Sequence, residues 1–137
     1  MKQKDIINKL EQYFSDKQQF DTVLLFGSYS NNKYNEQSDV DIAVHGQQIL
    51  SLDQILDIKV ELSRLLKKEI DLVDLHKCKG VFLHQIMTNN IRIRCDSDIC
   101  QKYLMTALTF MEYEYPTIKW LQEEKIRRFL HEYHSNQ

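Results

Sequence analysis

Two neighbouring stretches decide how this chain folds: Thr22-Val23-Leu24-Leu25-Phe26-Gly27-Ser28 and Ser38-Asp39-Val40-Asp41-Ile42-Ala43-Val44. The first is a β-branched and apolar run that stops on a glycine, the pattern of a buried strand over 22–26. The second is a strand over 40–44, ending near Gly46, with two aspartates at its opening. Residues 29–38 between them are polar and turn-rich. They form a loop, opened by a helical turn that Ser28 caps.

On the amino-terminal side, Ile6, Ile7, Leu10 and Phe14 recur at helical spacing within a helix over 4–19. Downstream, Ser51 followed by Gln54 is a capping-box signature. Leu52, Ile55, Leu56, Leu62 and Leu66 then carry a helix through Lys67. A third strand spans Ile70–Leu75, with Ile70, Leu72 and Asp74 on one face and Asp71, Val73 and Leu75 on the other. Residues 80–89 suggest a short helix, and Ile91-Arg92-Ile93-Arg94 a fourth strand. From Asp98 the chain is helical, with Ile99, Tyr103, Leu104, Ala107, Leu108 and Met111 on one stripe. Pro116 is expected to kink or break that run, which Ile118, Leu121, Phe129, Leu130 and Tyr133 continue. The fold class is α/β (α+β): a mixed sheet flanked by helices, with a core over residues 1–97 and a helical extension of the same domain over 98–137.

The chain has 137 residues, enough for one core and too few for two ordinary domains. A hydrophobic fraction of 42% with 28% charged residues fits a soluble globular protein. Its net charge of -2 supplies no global attraction to nucleic acid or to an anionic membrane. No stretch approaches the roughly 18 apolar residues of a membrane span, and no signal peptide opens the chain. Cys78, Cys95 and Cys100 are odd in number and lack a CxxC spacing, so they are expected to be reduced, with a Cys95–Cys100 disulfide the minor alternative. A cytoplasmic location is the expectation.

Asp39 and Asp41 are separated by one residue at the opening of a strand, so their side chains share a face and repel. Oxygen-only ligands at that spacing favour a hard divalent cation, and Mg²⁺ suits phosphate chemistry. Gly27 closes the preceding strand. A glycine there allows close backbone approach to a phosphate, to which the following N–H groups and the Ser28 hydroxyl can donate. Asp71 sits between Ile70 and Leu72. A carboxylate in an apolar strand is costly unless it is paired or binds a metal. If strand 70–75 pairs beside strand 40–44, Asp71 becomes the third metal ligand and the candidate base for an attacking hydroxyl.

Gly27-Ser28, ten residues, Asp39-Val40-Asp41 and a later Asp71 together resemble the signature of the DNA polymerase β-like nucleotidyltransferase superfamily, in particular its minimal nucleotidyltransferases. The resemblance covers roughly residues 20–95. It implies a nucleotidyltransferase-type mixed sheet, two Mg²⁺ ions and a nucleoside triphosphate donor. It also implies that Gly27 and Ser28 hold the triphosphate, that Asp39 and Asp41 bind both metals, and that Asp71 helps bind the catalytic one. The compact size is similar to that of the minimal-nucleotidyltransferase antitoxins. Those act with HEPN-domain toxins, transferring AMP from ATP onto a toxin tyrosine and silencing its ribonuclease activity. No direct nucleic-acid contact follows from this. The rivals are a small-molecule, antibiotic-type nucleotidyltransferase and an antitoxin that acts by binding alone.

Other residues have blander readings. Asp74 competes with Asp71 but lies on the opposite face, at a strand end where solvation is easy. Lys33 is a loop lysine that could reach a triphosphate and is most simply solvated. Arg92 and Arg94, sharing a strand face, either touch phosphate or a partner or line a solvent-facing sheet edge. His131 and His134, at i and i+3, lack a third metal ligand. Tyr113, Tyr115, Trp120 and Phe129 are core, or an interface with a partner or a second copy.

Overall fold

The computed structural model describes residues 1–135; the last two residues of the expected extension, Asn136 and Gln137, lie outside them. In chain order the elements are α1 (Gln3–Phe14), β1 (Phe20–Phe26), β2 (Val40–Gly46), α2 (Leu52–Leu66), β3 (Ile70–Asp74), α3 (Gly80–Thr88), β4 (Asn90–Arg94), α4 (Ser97–Thr109) and α5 (Tyr115–Ser135). The four strands form one mixed sheet in the order β3-β2-β1-β4. β1 pairs antiparallel with both β2 and β4, whereas β2 and β3 run parallel, joined by the crossover helix α2.

Side-chain alternation splits the core across the sheet. Val23 and Leu25 of β1, Val40, Ile42 and Val44 of β2, and Ile70 and Leu72 of β3 pack with Ile6, Leu10 and Phe14 of α1 and Leu62 and Leu66 of α2. Leu24, Phe26 and Ala43 face the other way, toward Leu83, Ile86 and Met87 of α3 and Cys100 and Ala107 of α4. The capping box of α2 is complete: the Ser51 hydroxyl accepts the Gln54 N–H, and the Gln54 side chain accepts the Ser51 N–H.

Three expectations need correction. Helix α1 stops at Phe14, five residues short of the expected end. There the Arg94 guanidinium donates to the carbonyls of Phe14, Lys17 and Phe20, closing the helix end and turning the chain into β1. That engagement also removes Arg94 from the candidates for phosphate or partner contact. A bulge between the Val23–Arg94 and Leu24–Arg92 pairs breaks the alternation on which a shared face with Arg92 depended. Finally, Pro116 does not break the last helix. A five-residue π-helical stretch, Phe110–Glu114, falls just ahead of it, and helix continues on both sides. The widened turn accommodates the missing proline N–H and the ring within the first turn of α5.

Helix α5 buries none of its side chains. Trp120 and Phe129 are 59% and 66% exposed. Tyr113, Trp120 and Phe129 are therefore not core within this chain, and Tyr115 is half-buried. Among the described residues no helix is long and apolar enough to cross a membrane.

Candidate functional site

The turn after β1 is where the chain departs from regular structure. Gly27, Ser28 and Tyr29 form a single 3-10 turn entered from extended Phe26, so Ser28 lies inside the turn and does not cap it. Gly27 has φ of +71°, a left-handed conformation that side chains with a Cβ rarely adopt. Its carbonyl accepts both the N–H and the hydroxyl of Ser30, at 3.1 and 2.8 Å. Beneath the turn, Tyr29 is fully buried and stacks on Tyr34 with ring centroids 4.4 Å apart. Gln3 of α1 donates its amide N–H to the Tyr29 carbonyl at 2.6 Å. These contacts fix the turn from below. Sequence reasoning missed Tyr29 and Tyr34; their only signal was two aromatic residues in an otherwise polar loop.

Three carboxylates gather beside the turn. Phe26 pairs with Asp41 across the antiparallel ladder, and Asp41 pairs with Asp71 across the parallel one. A Cβ built on Gly27 would lie 2.1 Å from Asp41 Oδ2, so the glycine and the carboxylate occupy adjoining space that no larger residue could share. Asp71 is exposed, Asp41 half-buried, and Asp39, one residue ahead of β2, is exposed. The Asp41 carboxyl is pushed from its usual 3.8 up to about 6 by burial first, then by its hydrogen bond to Asp71 and the charges of Asp71 and Asp39. Among the described residues, no positive side chain and no N–H donor is bonded to these carboxylates.

Asp74, the rival of Asp71, is on the opposite face as the alternation required, but the reason for setting it aside differs. It is not solvated: it is 3% exposed, and its two oxygens accept the N–H groups of Leu50 at 2.8 Å and His76 at 3.0 Å. Lys33 is exposed in the loop, and His131 and His134 are exposed on α5. Cys78, Cys95 and Cys100 are free thiols, with the Cys95 and Cys100 sulfurs 2.8 Å apart.

Among the described residues no three His, Cys, Asp or Glu groups close tightly enough on one point to cage an ion by themselves. Mg²⁺ does not ask for such a cage: it takes one or two carboxylates and completes its shell with waters and substrate phosphates. An all-oxygen, uncompensated carboxylate set beside a glycine turn fits that mode of binding.

Comparison with known proteins agrees with this geometry. Residues 8–99 match the family described as polymerase beta, nucleotidyltransferase, and the chain belongs to this nucleotidyltransferase family. Over 70 residues it is 31% identical to a Methanocaldococcus jannaschii protein provisionally named a protein adenylyltransferase, spanning 51% of this chain and 71% of that one. It is 35% identical over 66 residues to the protein adenylyltransferase MntA of Shewanella oneidensis, covering 48% of each chain. Its fold matches a chain of a toxin–antitoxin crystal structure with AMP-PNP at a TM-score of 0.77 and 21% identity, over 88% of this chain and 98% of that chain. A structure of tri-AMPylated Shewanella oneidensis HEPN toxin in complex with MNT antitoxin matches at a TM-score of 0.73 and 21% identity, over 90% of this chain and 98% of that chain. The mixed four-stranded sheet with flanking helices is thus a nucleotidyltransferase fold, and the chain is an enzyme of the nucleotidyltransferase class.

Proposed function

We propose that this nucleotidyltransferase is an antitoxin-type protein adenylyltransferase, which transfers AMP from ATP to a tyrosine of a HEPN-domain toxin and so silences its ribonuclease activity in the cytoplasm. The observation that carries the reading is the close packing of Gly27, Asp41 and Asp71, a glycine turn against uncompensated carboxylates. The protein adenylyltransferases among its relatives, and the fold shared with chains from toxin–antitoxin complexes, supply the acceptor class.

In this reading residues 1–97 are the catalytic core and 98–137 its helical extension. The backbone N–H groups of Gly27 and Ser28, with the Ser28 hydroxyl, bind the triphosphate oxygens. Asp39 and Asp41 would hold two Mg²⁺ ions, with Asp71 contributing a further carboxylate. When bound, these ions neutralise charge on the attacking and leaving oxygens of an in-line displacement. Asp71 accepts the phenolic proton as the tyrosine oxygen bonds to the α-phosphorus. The bond from that phosphorus to the β-phosphate bridging oxygen breaks, and pyrophosphate leaves. Gly27 lets the turn pack directly against Asp41, so a phosphate held by the turn would lie beside that carboxylate.

The test is incubation of the purified chain with α-labelled ATP, Mg²⁺ and the HEPN-domain protein encoded beside it. Label is expected on a tyrosine of that protein, and Asp39→Ala combined with Asp41→Ala should abolish it. Label that persists in the double variant would sink the mechanism. Neutralisation of the toxin by the double variant as complete as by the native chain would instead show an antitoxin that works by binding alone.

A further inference from the structure

At the junction of β4 and α4, far along the sheet from the carboxylates, the Cys95 thiol donates to the Cys100 sulfur at 2.8 Å. We infer that these two thiols form a reversible dithiol–disulfide couple, closed by exchange with a low-molecular-weight disulfide. Cys95 is the entry thiol, and Cys100 completes the bridge.

The first ground is that separate anchors hold the two sulfurs together. Cys95 follows Arg94, whose guanidinium is fixed on the carbonyls of Phe14, Lys17 and Phe20. Cys100 stands on the first turn of α4, its N–H bonded to the Asp96 carbonyl at 3.0 Å. Between them Asp96 caps the helix through the N–H groups of Asp98 and Ile99, and gives its own N–H to the Thr22 hydroxyl of β1 at 3.3 Å. A disulfide needs about 2.05 Å between its sulfurs, so closure asks for less than an ångström of side-chain movement.

The second ground is unequal access. Cys95 is half-buried, whereas Cys100 is 2% exposed. A reagent in solution therefore meets Cys95 first.

The third ground is what surrounds the buried sulfur. The Cys100 thiol is pushed from its usual 9.0 up to about 12, by burial first and then by the hydrogen bond and charge of Cys95. The Arg92 guanidinium and a hydrogen bond from the Thr22 hydroxyl pull the other way. Once Cys95 is tied up in a mixed disulfide, its two contributions disappear while Arg92 and Thr22 remain, so Cys100 gives up its proton more readily. Burial persists, which makes this second step the slower one. Cys78 has neither feature: burial and the charge of Asp74 push its thiol up to about 11, and it donates to the Asp74 carbonyl at 3.4 Å.

The Cys95 thiolate attacks one sulfur of the small disulfide and releases the other half as a thiolate. The Cys100 thiolate then attacks the Cys95 sulfur and releases the second half. One S–S bond breaks and one forms; the protein sulfurs are oxidised, the small disulfide is reduced, and the two thiol protons pass to the released thiolates. The bridge ties the first turn of α4, the base of the helical extension, to the sheet.

The test treats the full reduced chain with oxidised glutathione, quenches samples with iodoacetamide over time and maps the cysteines by mass spectrometry. Free thiols should fall from three to one, leaving Cys78, with a transient glutathione adduct on Cys95 and none on Cys100. Excess reduced glutathione should restore all three. Cys100→Ser should stop at the Cys95 adduct, and Cys95→Ser should slow reaction at Cys100 by about a hundredfold or more. Because serine at the buried position can loosen the fold, the order of adducts on the native chain is an independent readout. Three thiols that persist, a Cys95 adduct that never closes, or an adduct that forms first on Cys100 would each overturn the couple. A disulfide between two chains in place of one within a chain would overturn it too.

Discussion

The two ends of β2 hold carboxylates in opposite circumstances. At the Gly46 end, Asp21 sits 2.9 Å from Nδ1 of His45, and Asp74 accepts two backbone N–H groups. His45 stacks on His76 with centroids 4.2 Å apart, and His76 Nε2 lies 2.6 Å from the Gly46 carbonyl. Each polar group there has a partner. At the Val40 end, Asp41 meets Asp71 and Asp39 with no donor between them, and its carboxyl rises to about 6. The first end is built for stability, because buried polar groups that are fully bonded hold a fold together. The second carries repulsion that a proton or a bound cation can relieve, the circumstance expected of a ligand site.

This contrast can be broken by exchanging the roles of the two β3 aspartates. Asp71→Asn should cut nucleotidyl transfer by roughly 10²–10⁴ while leaving the thermal midpoint unchanged or higher, because it removes a base and a repulsive charge. Steady-state transfer and calorimetry on one sample check both. Asp74→Ala should do the opposite: it strands the Leu50 and His76 N–H groups and costs about 2–3 kcal/mol of unfolding free energy. The protein that stays folded should transfer at near the native rate. An Asp74 variant that folds normally but transfers nothing would dissolve the distinction between the two ends.

Gly27→Ala probes the join between turn and carboxylates. The left-handed φ alone costs about 1–2 kcal/mol, and the new Cβ would displace Asp41 Oδ2. Transfer should fall more than the stability loss explains, seen as a lower kcat at saturating ATP.

The smallest effect concerns pH. Asp41 has a higher pKa folded than unfolded, so the native chain holds an extra proton between about 3.8 and about 6. Without divalent ions, this group's contribution to stability is full at the acid end of that window and is lost as pH rises through it. The thermal midpoint should follow that course by a few degrees, and Asp41→Asn should flatten it. Mg²⁺ together with ATP should restore stability above pH 6, where the carboxylates are ionised and able to bind. A midpoint indifferent to Asp41→Asn across the window would mean that the repulsion is screened by solvent.

Much of this was readable in advance because it is local. The apolar run over 22–26, the Ser51–Gln54 capping box, and the one-residue spacing of Asp39 and Asp41 express periodicity and short-range hydrogen bonding, which neighbours along the chain decide among themselves. What escaped is non-local. Arg94 ends α1 by reaching carbonyls 74 to 80 residues away, and nothing around it in sequence announces that. The β4 bulge that separates Arg92 from Arg94 depends on how β1 accommodates its partner. The exposure of α5 depends on how much core the preceding elements had already closed.

The residue types and spacing around Gly27-Ser28 and Asp39-Asp41 by themselves determined the kind of chemistry, because a glycine turn and two carboxylates on one strand favour phosphate and a hard cation wherever they are placed. Only the tertiary structure decided which third carboxylate joins them. Asp71 and Asp74 sit three residues apart in the same apolar strand, and the parallel register that sets Asp71 against Asp41 turns Asp74 inward to Leu50 and His76. That choice belongs to strand pairing across thirty residues of chain, where long-range packing, not local preference, sets the energy.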